Sequence, residues 1–168
     1  MNYAGAKMKW TDRFLNWLES KDRKRVIMDR TCDEPLLTRY YLFLKDRKTF
    51  PFNVFLHKFH KGDPGDVHDH PWPYATLILK GGYYEWVPVF NKEGIKICEV
   101  RHWRGPGHFR ICSANSYHRI EKHPDVTAWT LFMPGPQKQE WGFLVNNKWI
   151  HNEQYLEDKR EQAHNKPA

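Results

Sequence analysis

The stretch Gly62-Asp63-Pro64-Gly65-Asp66-Val67-His68-Asp69-His70-Pro71-Trp72-Pro73-Tyr74 decides how this chain is read. His68 and His70 flank Asp69, and alternate residues of an extended segment face one side, so both imidazoles can reach a common point. Imidazole nitrogens bind first-row divalent metals at roughly 2.0 to 2.2 Å, and two ligands on one rigid segment lower the ordering cost of binding. Ten histidines in such a chain yield an HxH pair about 0.6 times by chance, so the pair gains weight only from its frame. That frame is Gly62, six residues before His68, and Gly81, eleven after His70, as a strand entering a tight turn requires.

Outward from this stretch the chain reads as strands. From Leu36 on, short runs rich in aromatic and β-branched residues alternate with Pro, Gly, Asn and Asp, predicting strands near 36–44, 52–60, 74–79, 83–88, 97–103, 118–122, 127–133 and 139–145. Many short strands without interleaved helices predict a mainly β jelly roll or closed barrel, because only a second sheet or closure covers the buried face. Gly81-Gly82 and Asn91 to Gly94 read as hairpin turns. Upstream, Thr11 reads as the cap of an α-helix in which Trp10, Phe14, Trp17 and Leu18 share a face, ending near Arg25. The expected organisation is a helical segment over 1–30 packing on the barrel, the barrel over 31–152, and a polar tail over 153–168 with a short helix near Tyr155 and Leu156.

Between Gly62 and Lys122 the sequence resembles the cupin superfamily. The first cupin motif runs G, five residues, HxH, three or four residues, E, six residues, G; Gly62, His68, His70 and Gly81 match it. The second runs G, five residues, PxG, two residues, H, three residues, N; Gly107, Ser113, Asn115 and His118 keep its register. The departures are Tyr74 at the Glu position, Ser113 for Pro, Asn115 for Gly and Lys122 for the final Asn. The resemblance implies a double-stranded β-helix and a metal on His68, His70 and His118. Without the Glu this is similar to the three-His site of the thiol dioxygenase branch, in which iron is held by imidazoles alone. The implied cofactor is a divalent ion, iron(II) first, with zinc, nickel or manganese the other ions such a site accepts. The segments HDHPWPY, ILKGGYYE and WGF further resemble a group of small cupin proteins of bacteria and their phages.

Other residues are candidates for the mouth of the site. Tyr74 is expected as a hydrogen-bond donor beside the metal, and His60 as an acid or base. Trp72, stiffened by Pro71 and Pro73, and Tyr83 are expected to line a substrate pocket, with Glu85 as a displaced carboxylate or a substrate contact. Arg39 and Arg110 are the candidate anchors for a carboxylate or phosphate, since a guanidinium binds either through two parallel hydrogen bonds.

Composition narrows the function classes. Lysine and arginine total 27 against 20 acidic residues, a formal charge of +7, which favours anionic partners, though the charge lies in short clusters and forms no nucleic-acid motif. Three cysteines without CxxC spacing imply neither a disulfide framework nor a cysteine zinc site. No stretch approaches the roughly 18 apolar residues of a membrane span, and a cytoplasmic protein is expected. The leading expectation is a metal-dependent oxygenase acting on a small anionic molecule. The alternatives are an isomerase or epimerase of sugar phosphates or nucleotide sugars, in which Tyr74, Tyr83 or His60 moves the proton, and a non-catalytic binding cupin. A homodimer formed through an edge strand or the N-terminal helix fits any of the three.

Overall fold

The computed structural model describes residues 9–29, 32, 34–45, 50–63 and 65–164. Its elements are α1 (Trp10–Ser20), β1 (Lys24–Met28), β2 (Pro35–Tyr41), β3 (Phe55–Phe59), β4 (Tyr74–Lys80), β5 (Tyr83–Phe90) and β6 (Lys96–Arg104). Then follow β7 (Phe109–Cys112), β8 (Arg119–Lys122), β9 (Trp129–Pro134), β10 (Gly142–Val145), β11 (Lys148–His151) and α2 (Asn152–His164). Most of the Lys45 to Lys48 run and the last four residues of the tail lie outside the described residues.

Every strand pairing is antiparallel. One sheet has the order β1-β2-β3-β9-β4-β7, a second the order β6-β5-β8, and β10 pairs with β11. Inward-facing Phe59 and Ile78 of the first sheet meet Tyr83 and Ile120 of the second around Ala128, forming the central core. The segment carrying the HxH pair joins the second sheet to the β10-β11 hairpin, because His68 bridges His118 on one side and Phe143 on the other. The molecule is therefore two facing sheets of jelly-roll type with the histidine segment as a seam.

Three expectations need correction. The sheets do not close into a barrel: among the described residues the outer edges of β1, β7 and β6 pair with no further strand. Gly81-Gly82 is no hairpin, since β4 and β5 belong to different sheets and the glycines carry the chain from one to the other. Gly81 has φ of +70° and a Cβ there would stand 2.2 Å from the Thr127 carbonyl oxygen, so both conformation and space demand glycine. Of the two predicted turns, Asn91 to Gly94 alone makes a hairpin, joining β5 to β6, with the Asn91 side chain accepting from the amides of Glu93 and Ile95.

The helix also differs from its reading. It starts at Trp10 with no side-chain cap and ends at Ser20, after which β1 begins and joins the first sheet. Leu15 and Leu18, not Trp10 and Trp17, pack on Tyr40 and Leu56 of the outer sheet face, and Trp10 stays 77% exposed. The buried stripe is narrower than the aromatic pattern predicts: Leu15 and Leu18 reach the sheet face beside Trp129 and Leu131, while Trp17 stays 53% exposed. At the other end α2 is a full helix, clamped where Tyr155 stacks on Phe143 at 3.8 Å and donates its hydroxyl to Asp66. No helix among the described residues is long and apolar enough to cross a membrane.

Candidate metal centre

Backbone pairing sets the three imidazoles. The amide of His68 donates to the His118 carbonyl at 2.9 Å and the amide of His118 returns the bond at 3.0 Å, so residues fifty positions apart stand directly opposite. His70 follows two residues on and donates its amide to the Ala114 carbonyl at 3.0 Å. Asp69 points the other way. Its carboxylate accepts from the Gly142 amide at 2.7 Å, Trp149 Nε1 at 3.1 Å and Gln139 Nε2 at 3.2 Å, tying the segment to the β10-β11 hairpin. The alternation read from the sequence thus holds the ligands on one side and their anchor on the other.

The candidate ligand atoms of His68, His70 and His118 lie within 4.8 Å of one another. Nε2 of His70 and Nε2 of His118 are 2.8 Å apart. Two nitrogens about 2.1 Å from one ion at a right angle would be about 3 Å apart, so this pair converges as a shared divalent ion requires. His68 Nδ1 is buried with no hydrogen-bond partner, an orphan among polar atoms that native interiors otherwise satisfy. Burial holds His68 down at about 4 and pushes His70 well below the ordinary imidazole value. Both are neutral near pH 7, the state in which imidazole is a ligand. The donor set fits a divalent metal, which His68, His70 and His118 would hold.

Glu85 stands behind His118. One carboxylate oxygen accepts from His118 Nδ1 at 2.7 Å, while the other receives Arg104 Nε at 2.7 Å and an ion pair from Arg110. Burial opposes its ionisation, yet His118 and the two guanidinium groups outweigh that cost and bring Glu85 to about 2. An ionised acceptor at Nδ1 fixes the proton there and leaves the Nε2 lone pair facing the other histidines, the carboxylate–histidine arrangement that orients metal ligands.

Tyr74 occupies the place of the missing carboxylate. Its hydroxyl lies 3.4 Å from His118 Nε2 and its ring packs edge-on against His70 at 4.6 Å. Burial raises its phenol well above the ordinary value, so it is a neutral donor and carries no charge to the site.

Two cavities meet at His68. The inner one, about 120 Å³, lies between the sheets and is lined by His57, Tyr74, Tyr83, Glu85, His118 and Thr130. The outer one, about 370 Å³, opens towards α2 and is lined by Arg25, Arg39, His70, Trp72, Trp141 and Phe143 among others. The structure therefore brings Arg39 and Trp72 to the outer cavity, and Tyr74, Tyr83 and Glu85 to the inner one. Arg110 lines neither cavity, and its guanidinium is held by Glu85. His60 is not brought to the site: it is exposed and its Nε2 meets Thr38 Oγ1 at 2.8 Å. Sequence reasoning missed Asp69, Arg104, Trp141 and Arg25. Asp69 alone had a local signal, being the residue of opposite parity between two inward histidines.

No protein-family model matches the chain, and no curated protein matches it in sequence. Solved structures do. The polyketide cyclase RemF of Streptomyces resistomycificus is 14% identical over 75% of this chain and 82% of its own, with a TM-score of 0.51. A cupin-2 domain of Rhodospirillum rubrum is 14% identical over 73% of this chain and 74% of its own, with a TM-score of 0.53. The chain has the cupin fold, with a three-histidine cluster at the seam of its two sheets.

Proposed function

We propose that this protein is a metal-dependent oxygenase of the cupin fold acting on a small anionic molecule. The observation that carries the reading is the convergence of three imidazoles with no carboxylate among the candidate ligand atoms, the Tyr74 hydroxyl lying 3.4 Å from His118 Nε2. An iron(II) ion held there would supply Lewis acidity and one-electron chemistry toward dioxygen, with coordination positions left open by the protein.

The chain's own residues do the rest. Glu85, itself pinned by Arg104 and Arg110, keeps His118 in the tautomer that presents Nε2. The Tyr74 hydroxyl, kept protonated by burial, donates to an acceptor placed beside His118. Arg39 offers its guanidinium to the anionic end of a substrate in the outer cavity, and Trp72 and Trp141 form apolar walls that keep water from the reacting end. The free thiols Cys32, Cys98 and Cys112 support a reducing, cytoplasmic setting.

Oxygen uptake by protein loaded anaerobically with iron(II), offered a panel of small thiols and organic acids, tests the proposal. Uptake that requires iron and disappears in His118→Ala is the expected result. Equal turnover by zinc-loaded and iron-loaded protein would overturn it.

A further inference from the structure

The outer cavity contains a charge pair that the metal centre does not use. In the β1-β2 register Arg25 stands directly opposite Arg39, and both line this cavity. Like charges facing each other across an antiparallel pair are destabilising, so such a pair needs either a counter-ion or a reason to lack one.

Four other arginines of the two sheets each have a carboxylate partner. Arg104 and Arg110 share Glu85, Arg101 has Glu121 and Arg119 has Glu99. Arg25 and Arg39 have none among the described residues. The two acids in the same cavity wall are engaged in other directions: Asp29 is paired with Lys61 at 2.9 Å, and Asp63 accepts the Ile120 amide at 2.7 Å.

Arg39 is also held in a fixed pose. Its Nε donates to His57 Nε2 at 3.0 Å, and its guanidinium lies over the Phe55 ring at 4.4 Å. Nε and one face are thus occupied and the Tyr41 hydroxyl accepts a further hydrogen bond from the guanidinium, which leaves its remaining N–H groups in a fixed orientation. His57 offers no negative charge in return, because burial and Arg39 keep it neutral.

We infer that the Arg25–Arg39 pair is a receptor for a dianionic phosphate monoester, the head group of a small phosphorylated substrate whose carbon body lies along Trp72 and Trp141 towards His68 and His70. The inference deepens the functional reading above and rests on the outer cavity being its substrate site. A carboxylate neutralises one guanidinium and leaves the other uncompensated. A phosphate dianion neutralises both and has three terminal oxygens to share between two forks. The cavity, about 370 Å³, falls in the range of small-molecule sites and leaves room for more than the head group.

Calorimetric titration of the full-length protein with inorganic phosphate and with acetate, at pH 8 and constant ionic strength, tests this before and after dialysis against EDTA. Phosphate is expected to bind at one site at least tenfold more tightly than acetate, with affinity unchanged by EDTA. Arg25→Gln and Arg39→Gln should each weaken it at least tenfold. Arg25 is exposed, so its variant should keep the parent melting point and decides the matter should Arg39→Gln fail to fold. Acetate binding as tightly as phosphate, phosphate binding lost on chelation, binding unchanged in Arg25→Gln, or no binding at all would each overturn the inference. Because binding is read without metal or turnover, its failure is distinguishable from failure of the oxygenase reading, which the oxygen assay alone decides.

Discussion

Replacing Glu85 by glutamine probes the link between the second sheet and the metal centre. The carboxylate is 2% exposed and takes three hydrogen bonds, from His118, Arg104 and Arg110. Breaking a buried ion pair from one side costs about 3 to 5 kcal/mol, since a charge is left without its partner. Arg104 and Arg110 retain 17% and 26% of their side-chain exposure and regain some water, which places the loss near ~3 kcal/mol. For a chain of this length that corresponds to a melting point lower by roughly 6 to 12 °C. The amide oxygen can still accept from His118 Nδ1, but the amide nitrogen then faces two guanidinium groups, so the ring loses its fixed orientation. Metal affinity, measured by competition with a chromophoric chelator, should fall about 10- to 100-fold. Adding Arg110→Met to Glu85→Gln should recover part of the stability without restoring the affinity, because it removes a stranded charge and leaves the histidine contact weakened. A Glu85→Gln protein that melts and binds metal like the parent would refute the argument.

Three further outcomes follow from the fold. Asp69→Ala should lower stability by about 2 to 4 kcal/mol in a denaturant melt, because it strands the Gly142 amide and Trp149 Nε1 together and frees the β10-β11 hairpin from the histidine segment. Gly81→Ala should be at least as damaging in the same melt, since the added Cβ meets the Thr127 carbonyl oxygen and the residue keeps a positive φ. Acid should destabilise the protein from near pH 6.5 downward: His57 is held well below its ordinary value, by burial first and Arg39 second, so the unfolded chain takes up a proton that the folded chain refuses. The stability this residue contributes is complete above pH 6.5 and declines as pH falls towards its folded value. His57→Phe, which suits the stacking on Phe55 and Phe132, should flatten that part of the pH–stability profile.

What the sequence determined by itself was local or carried by spacing. Period-two alternation and turn residues exposed a β-rich chain. The HxH spacing set His68 and His70 on one side, because an extended segment sends alternate residues to one side whatever it pairs with, while His118 became a candidate only through the likeness of its stretch to the second cupin motif. Tertiary structure alone decided which strands share a sheet, and that choice overruled the hairpin at Gly81-Gly82 and left the barrel open. It also put Glu85 behind His118, set Arg25 opposite Arg39, and turned Asp69 into the anchor of a hairpin some seventy residues away. These contacts join residues whose separation in the chain has no period. The facing of two sheets selects them, and no pattern along one strand encodes which residues will stand across from it.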